Sequence, residues 1–117
     1  MKRKIILYET ESGACPVAKF VRKQDVAVQK AILSALEFVE VDLNPDHLFQ
    51  KMVNTDDLWE IRVRKSRNIF RLLCFFDGTA LIVAANAFQK KTQKTPPQEI
   101  KTAEARKREY FRRKNNG

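Results

Sequence analysis

Between Leu58 and Pro96 the chain reads LWEIRVRKSRNIFRLLCFFDGTALIVAANAFQKKTQKTP, and this stretch limits the fold more than any other. In Leu58–Arg64, Trp59, Ile61 and Val63 fall on one side of an extended strand, with Glu60, Arg62 and Arg64 on the other, because successive strand side chains alternate. Polar Lys65–Asn68 forms a loop. Ile69–Phe76 is apolar at nearly every position, as in a central strand covered on both faces. Arg71 is the exception, a cation that needs a partner or a purpose. Asp77-Gly78 predicts a type I′ hairpin, which requires positive φ at both central positions. Leu81–Ala85 is the returning strand, and small Ala84, Ala85 and Ala87 leave room for something bulky to lie across them.

The flanks supply the covers. Lys4–Tyr8 is a short β-branched run, a candidate first strand. Ser12 and Gly13 break it, and Pro16 suits a first helical turn, where its missing N–H costs nothing. Val17, Phe20 and Val21 recur at helical spacing. Asp25 is a candidate N-cap for a second helix, in which Val28, Ile32, Ala35, Leu36 and Val39 share one face. Asn44-Pro45 closes the segment, and His47–Asp57 reads as a connector whose lone His47 is a surface residue. After Pro96-Pro97 a helix is expected from about Gln98 to Arg113. Ile100, Ala103, Lys107, Tyr110 and Phe111 fall near one face, a weak apolar stripe among many charges, so the helix is expected to pack loosely or against a partner. Lys114–Gly117 is expected to fray. The expected fold is α+β: a small twisted antiparallel sheet of about four strands, braced by an N-terminal helical hairpin and followed by a C-terminal helix. Residues 1–117 are expected to form a single domain.

Charge divides the chain in two. Residues 1–57 carry 8 Lys/Arg and 9 Asp/Glu, whereas residues 58–117 carry 15 and 5. The positive half points to a polyanionic partner. Cys15 and Cys74 form no CxxC pair, and Cys74 sits in an apolar run as a small buried hydrophobe. The apolar run Ile5–Tyr8 is too short for a signal-peptide core, and no segment reaches the roughly 20 apolar residues of a membrane span. A cytoplasmic location is expected. Metal-ligand spacing is lacking, so neither metal nor cofactor is expected.

Strand alternation places Arg62 and Arg71 on a common patch, with Lys90 and Lys91 closing it at the end of the third hairpin strand. Such a cluster can hold an RNA backbone, or stabilise the charge that develops when a 2′-hydroxyl attacks its own 3′-phosphate. Glu60 can take a proton or hold Arg62 in an ion pair, and arginine neighbours favour the ion pair. Arg64, Lys65 and Arg67 fit a solvated face as well as an RNA contact. Arg71→Ala is expected to abolish activity with the fold intact.

The order Leu58-Trp59-Glu60-Ile61-Arg62, Phe70-Arg71-Leu72 and Phe88-Gln89-Lys90-Lys91-Thr92-Gln93-Lys94-Thr95-Pro96 resembles the RelE/ParE toxin superfamily, in particular its phage-related, HigB-like branch. The resemblance covers essentially the whole chain. It implies a toxin of a type II toxin–antitoxin pair: a ribosome-dependent mRNA endonuclease, neutralised by a helix-turn-helix antitoxin. On it, Arg62 and Arg71 match the strand positions that bind and polarise the scissile phosphate, and Lys90 or Lys91 matches the basic residue after the last strand. Taken with the strand pattern, the candidate catalytic residues are Arg62, Arg71, Lys91 and Glu60, and the candidate RNA contacts are Lys90, Arg64, Arg67 and Lys94. Ribosome and mRNA would meet the basic C-terminal half. Asn86-Ala87-Phe88 stands where relatives often have His-Gly-Phe, Glu60 where some RNA-cleaving members carry a basic residue, and no tyrosine follows the lysine pair. The superfamily also holds DNA gyrase inhibitors, which is one alternative. A non-toxic nucleic-acid-binding domain is another.

Overall fold

A computed structural model describes residues 2–91 and 94–116. Thr92 and Gln93 of the lysine–threonine loop, and Gly117 of the expected tail, lie outside the described residues. The elements run β1 (Lys4–Leu7), α1 (Pro16–Arg22), α2 (Val26–Glu40), β2 (Phe49–Lys51), β3 (Trp59–Lys65), β4 (Asn68–Asp77), β5 (Leu81–Lys90) and α3 (Pro97–Asn116). The sheet order is β1-β5-β4-β3-β2, giving the expected α+β architecture with two amendments. A fifth strand, β2, lies inside the expected connector, and β1 joins β5 in parallel rather than antiparallel fashion.

Local chemistry explains the helical brace. Pro16 opens α1, and the Asp25 carboxylate accepts from the Val28 amide 3.0 Å away, satisfying a donor that the first turn of α2 leaves orphaned. Val28, Ile32, Ala35 and Val39 bury one stripe against Ile61, Val63, Phe70 and Leu72 of the sheet. Burying a side chain such as Ile32 contributes about 2–3 kcal/mol. On this face Trp59 stacks on Phe49, with ring centroids 4.8 Å apart.

Leu58, Leu73, Phe75, Val83, Ala85 and Phe88 build a second core on the opposite face, closed by Ala103, Ile100, Tyr110 and Phe111 of α3. The helix is therefore not loosely packed. Polar ties add what its thin apolar stripe lacks. Tyr8 Oη donates to Glu109 at 2.6 Å, and Tyr110 Oη to Asp77 at 2.7 Å. Lys114, expected in a frayed tail, pairs with Asp77 at 2.7 Å and is helical. The room over the alanines of β5 is taken by α1 on one face and α3 on the other.

Two turns differ in detail from expectation. Asp77 pairs with Leu81, so the β4–β5 loop is the three residues Gly78–Ala80, and within it only Gly78 has positive φ (80°). Between β3 and β4, Lys65 pairs with Asn68 across the two-residue turn Ser66-Arg67.

Candidate nucleic-acid interface

The register of β3, β4 and β5 sets the site. Arg62 stands opposite Arg71, and Arg71 opposite Phe88; the next row outward is Arg64, Ile69 and Lys90, and the next inward is Glu60, Leu73 and Asn86. Side chains directly opposite share a face, so all three rows belong to the α3 side of the sheet. α3 begins above the innermost row, where Asn86 Nδ2 donates to the Glu99 carbonyl at 3.2 Å. The two outer rows thus lie beyond the helix start.

A β-bulge at Leu73/Cys74 makes that anchorage possible. It places Ala85 and Asn86 together on the α3 side, and Arg106 Nη1 donates to the Ala85 carbonyl at 2.9 Å and to Asn86 Oδ1 at 3.3 Å, two acceptors that a regular ladder would not present together. Asn86 is 8% exposed, with its side chain engaged by Glu99 and Arg106 of α3 and by the Ala87 amide.

Arg71 is 9% exposed. Its Nη1 donates to Glu60 Oε2 at 2.5 Å and to Thr95 Oγ1 at 2.9 Å, while its Nε is buried without a partner. Glu60 therefore pairs with Arg71 rather than with Arg62. The reason is register: Arg71 sits diagonally across the strand gap from Glu60, within reach of long side chains, whereas Arg62 follows two residues along the same strand. Thr95 gives no sequence signal for this role, because its contact depends on where the loop after β5 returns.

Arg62 is half-buried and makes no ion pair with any described residue. Lys90 is also half-buried. Burial lowers its pKa below the usual lysine value, the positive charges of Arg71 and Arg62 lower it further, and Glu60 partly opposes them. Glu60, Arg62, Arg71 and Lys90 are thus brought together. Lys91 lies exposed one residue past β5, Arg64 is exposed on β3, and Arg67 is exposed in the Ser66-Arg67 turn. Lys94 is exposed in the loop before α3. Among the described residues, no group of three His, Cys, Asp or Glu could hold a metal ion.

Most cations of α3 are engaged elsewhere. Lys107 pairs with Asp56, Arg112 with Glu11 and Glu109, Arg113 with Glu109, and Lys114 with Asp77. Fewer of the C-terminal half's charges are therefore paired at the sheet end around Arg62 than along the helix.

The model of a phage-derived protein family, Gp49-like (DUF891), matches residues 19–108, from the middle of α1 into α3. The chain belongs to this family. Gp49-like proteins are a RelE/HigB-like family of toxin–antitoxin toxins, and the α+β fold found here is compatible with that relationship. A toxin of this kind has an antitoxin as partner. No curated protein matches the chain. Among the described residues, no helix is long and apolar enough to cross a membrane.

Proposed function

We propose that this Gp49-like toxin cleaves mRNA on the ribosome, in the cytoplasm, and is held in check by a helix-turn-helix antitoxin. One observation carries the reading. Arg62 has no counter-ion among the described residues and stands opposite Arg71, with the desolvated Lys90 in the same cluster. Like charges placed opposite each other on a sheet repel, and an anion seated between them relieves that cost.

In the proposed reaction the 2′-oxygen of one nucleotide attacks its 3′-phosphorus, and the bond from phosphorus to the next 5′-oxygen breaks. A 2′,3′-cyclic phosphate and a 5′-hydroxyl result. Arg62 holds the non-bridging oxygens as negative charge develops on them. The Lys90 ammonium, made more acidic by its surroundings, gives a proton to the departing 5′-oxygen. Glu60, committed to Arg71, is a weak base. The proton of the 2′-hydroxyl passes to water or to an rRNA group, which makes the ribosome part of the machinery and not only a positioning device. Arg71 acts behind Arg62, fixing Glu60 and the returning loop through Thr95. Arg64, Arg67, Lys91 and Lys94 would guide the RNA backbone.

The test is translation of a defined message in a purified system, followed by primer extension. The wild-type protein should truncate the message during translation and leave naked RNA intact. Arg62→Ala should reduce cleavage by about two orders of magnitude, the scale expected for loss of one charge-stabilising donor. Intact messages in the presence of a lethal protein would sink the proposal, and DNA-damage signalling would then direct attention to gyrase.

A further inference from the structure

β2 covers β3 only as far as Ile61, through pairs at Phe49, Gln50 and Lys51. One more bond follows, from the Arg62 amide to the Leu48 carbonyl at 2.8 Å. Because that amide points away from β4, the antiparallel ladder directs the Arg62 carbonyl and both backbone groups of Arg64 the same way. No described backbone group meets them there. The neighbouring edge is treated differently: both side-chain ends of Asn44 cap the Phe49 backbone, at 2.7 and 3.0 Å. Sheet edges are usually blunted in some such way, since a bare one templates pairing.

This bare edge forms one wall of a groove of about 580 Å³, lined across from it by Ala31, Ser34, Ala35 and Phe38 of α2. A second hollow of about 450 Å³ shares Ala31 and Ser34 and continues along α2 past Lys30 and Lys65 to Val26. Phe38 and Val26, at the two ends, are 41% and 63% exposed. Arg62, Arg64, Lys65 and Lys30 flank the channel, against one acid, Asp46.

We propose that this channel receives an extended, acidic segment of a protein partner, which adds as a further strand to β3 beside Arg62–Lys65. Unpaired donors and acceptors repeating every second residue are satisfied by a peptide backbone in β conformation. Alternate side chains of such a peptide enter the α2 groove, and the others reach Arg62 and Arg64. A second copy of this chain is disfavoured, because two cationic edges would meet. An RNA strand would satisfy the charges but not the alternating amide and carbonyl groups. Docking itself does not depend on the proposed cleavage. Its consequence does: a strand here covers Arg62, so the partner that binds also switches off the proposed site.

The probe is a synthetic ten-residue peptide of alternating valine and glutamate, added to the full chain and followed by amide NMR and hydrogen exchange. The Arg64 amide should shift and gain protection, and a valine–lysine peptide should have no effect. Arg64→Pro removes the outward amide without breaking a β3–β4 ladder bond, a substitution edge strands tolerate. It should weaken binding at least about tenfold more than Arg64→Ala, which removes the charge alone. Ser34→Trp, filling the groove from the helix side, should weaken it as well. Equal binding to the proline and alanine variants, protection elsewhere, or protection of Arg64 by oligouridylate but not by the peptide would overturn the proposal. Each readout is made without ribosomes, so it fails or succeeds separately from mRNA cleavage.

Discussion

The outer end of the β3–β5 sheet and the C-terminal half of α3 are both rich in arginine and lysine, yet they are physically opposite. Along α3 five of the seven cations have a carboxylate or carbonyl partner, and these contacts fasten the helix to the Ala85 carbonyl, to Glu9 and Glu11 after β1, to Asp77 and to the loop at Asp56. At the sheet end, Arg62, Arg64, Lys65, Arg67, Lys90 and Lys91 make no ion pair with a described residue. Charge in the first place is spent on cohesion. In the second it is held apart at a cost to the fold, which is the arrangement a polyanion would exploit.

The sharpest test of this contrast lies at its boundary, because Arg71 belongs to the sheet end by sequence but is paired like α3. Arg71→Ala leaves Glu60, whose side chain is 12% exposed, without its partner. Removing one member of a buried pair typically costs about 3–5 kcal/mol. The expectation that this variant stays folded is therefore replaced: urea unfolding should show a large loss, so its inactivity would say little about chemistry. The double variant Arg71→Met with Glu60→Leu should recover most of that loss. If Arg71→Ala is as stable as wild type, the pair is not structural.

A smaller effect is expected at Asp77, which accepts from both Tyr110 and Lys114. Those two bonds hold its carboxyl below the usual aspartate range, and burial of the Tyr110 phenol, reinforced by Asp77, pushes that group up to about 12. Asp77→Asn should cost about 1–2 kcal/mol at neutral pH, the scale of a charge-assisted hydrogen bond. A depressed folded pKa contributes stability that is fully present above the unfolded value of about 3.9, and loses it as pH falls through the folded one. The gap between wild type and variant in thermal melts should accordingly be constant from pH 7 to about 5 and close in stronger acid. A gap unchanged at low pH would assign the loss to packing.

The smallest effect has the opposite sign. Lys90→Gln relieves repulsion from Arg71 and Arg62, and should raise stability by a few tenths of a kcal/mol, about the worth of an exposed charge pair. Added salt should shrink this advantage, because screening weakens the repulsion. A destabilised Lys90→Gln would mean that the sheet end is held together by its charges after all.

Much of the architecture is legible in the sequence because local signals coincide with tertiary ones. Asp25 caps α2 where predicted, and the alternation of Trp59, Ile61 and Val63 against Glu60 and Arg62 survives in the packing. What escapes depends on long-range register. β2 is three residues long, too short to show a period, and is recruited by pairing with β3. α3 is underestimated because Tyr8–Glu109 and Tyr110–Asp77 hold it, and an apolar stripe counts neither. The Arg62, Arg71 and Lys90 grouping follows from strand alternation. The diversion of Glu60 to Arg71 and the docking of Thr95 need the register and the loop path, which no single stretch encodes.

The parallel pairing of β1 with β5 joins Lys4 to Leu81 and Leu7 to Ala84, the first strand to the last. A chain emerging N-terminus first therefore holds its first strand unpaired until the last strand has been made. Long-range closure of this kind slows folding, and synthesis at about 5–20 residues per second adds seconds of waiting. The arginines of β3 and β4 acquire their register only after the β4–β5 hairpin closes. Assembly order thus gives the growing polypeptide a built-in delay, in which the cluster of Arg62, Arg71 and Lys90 does not exist until β5 has been made.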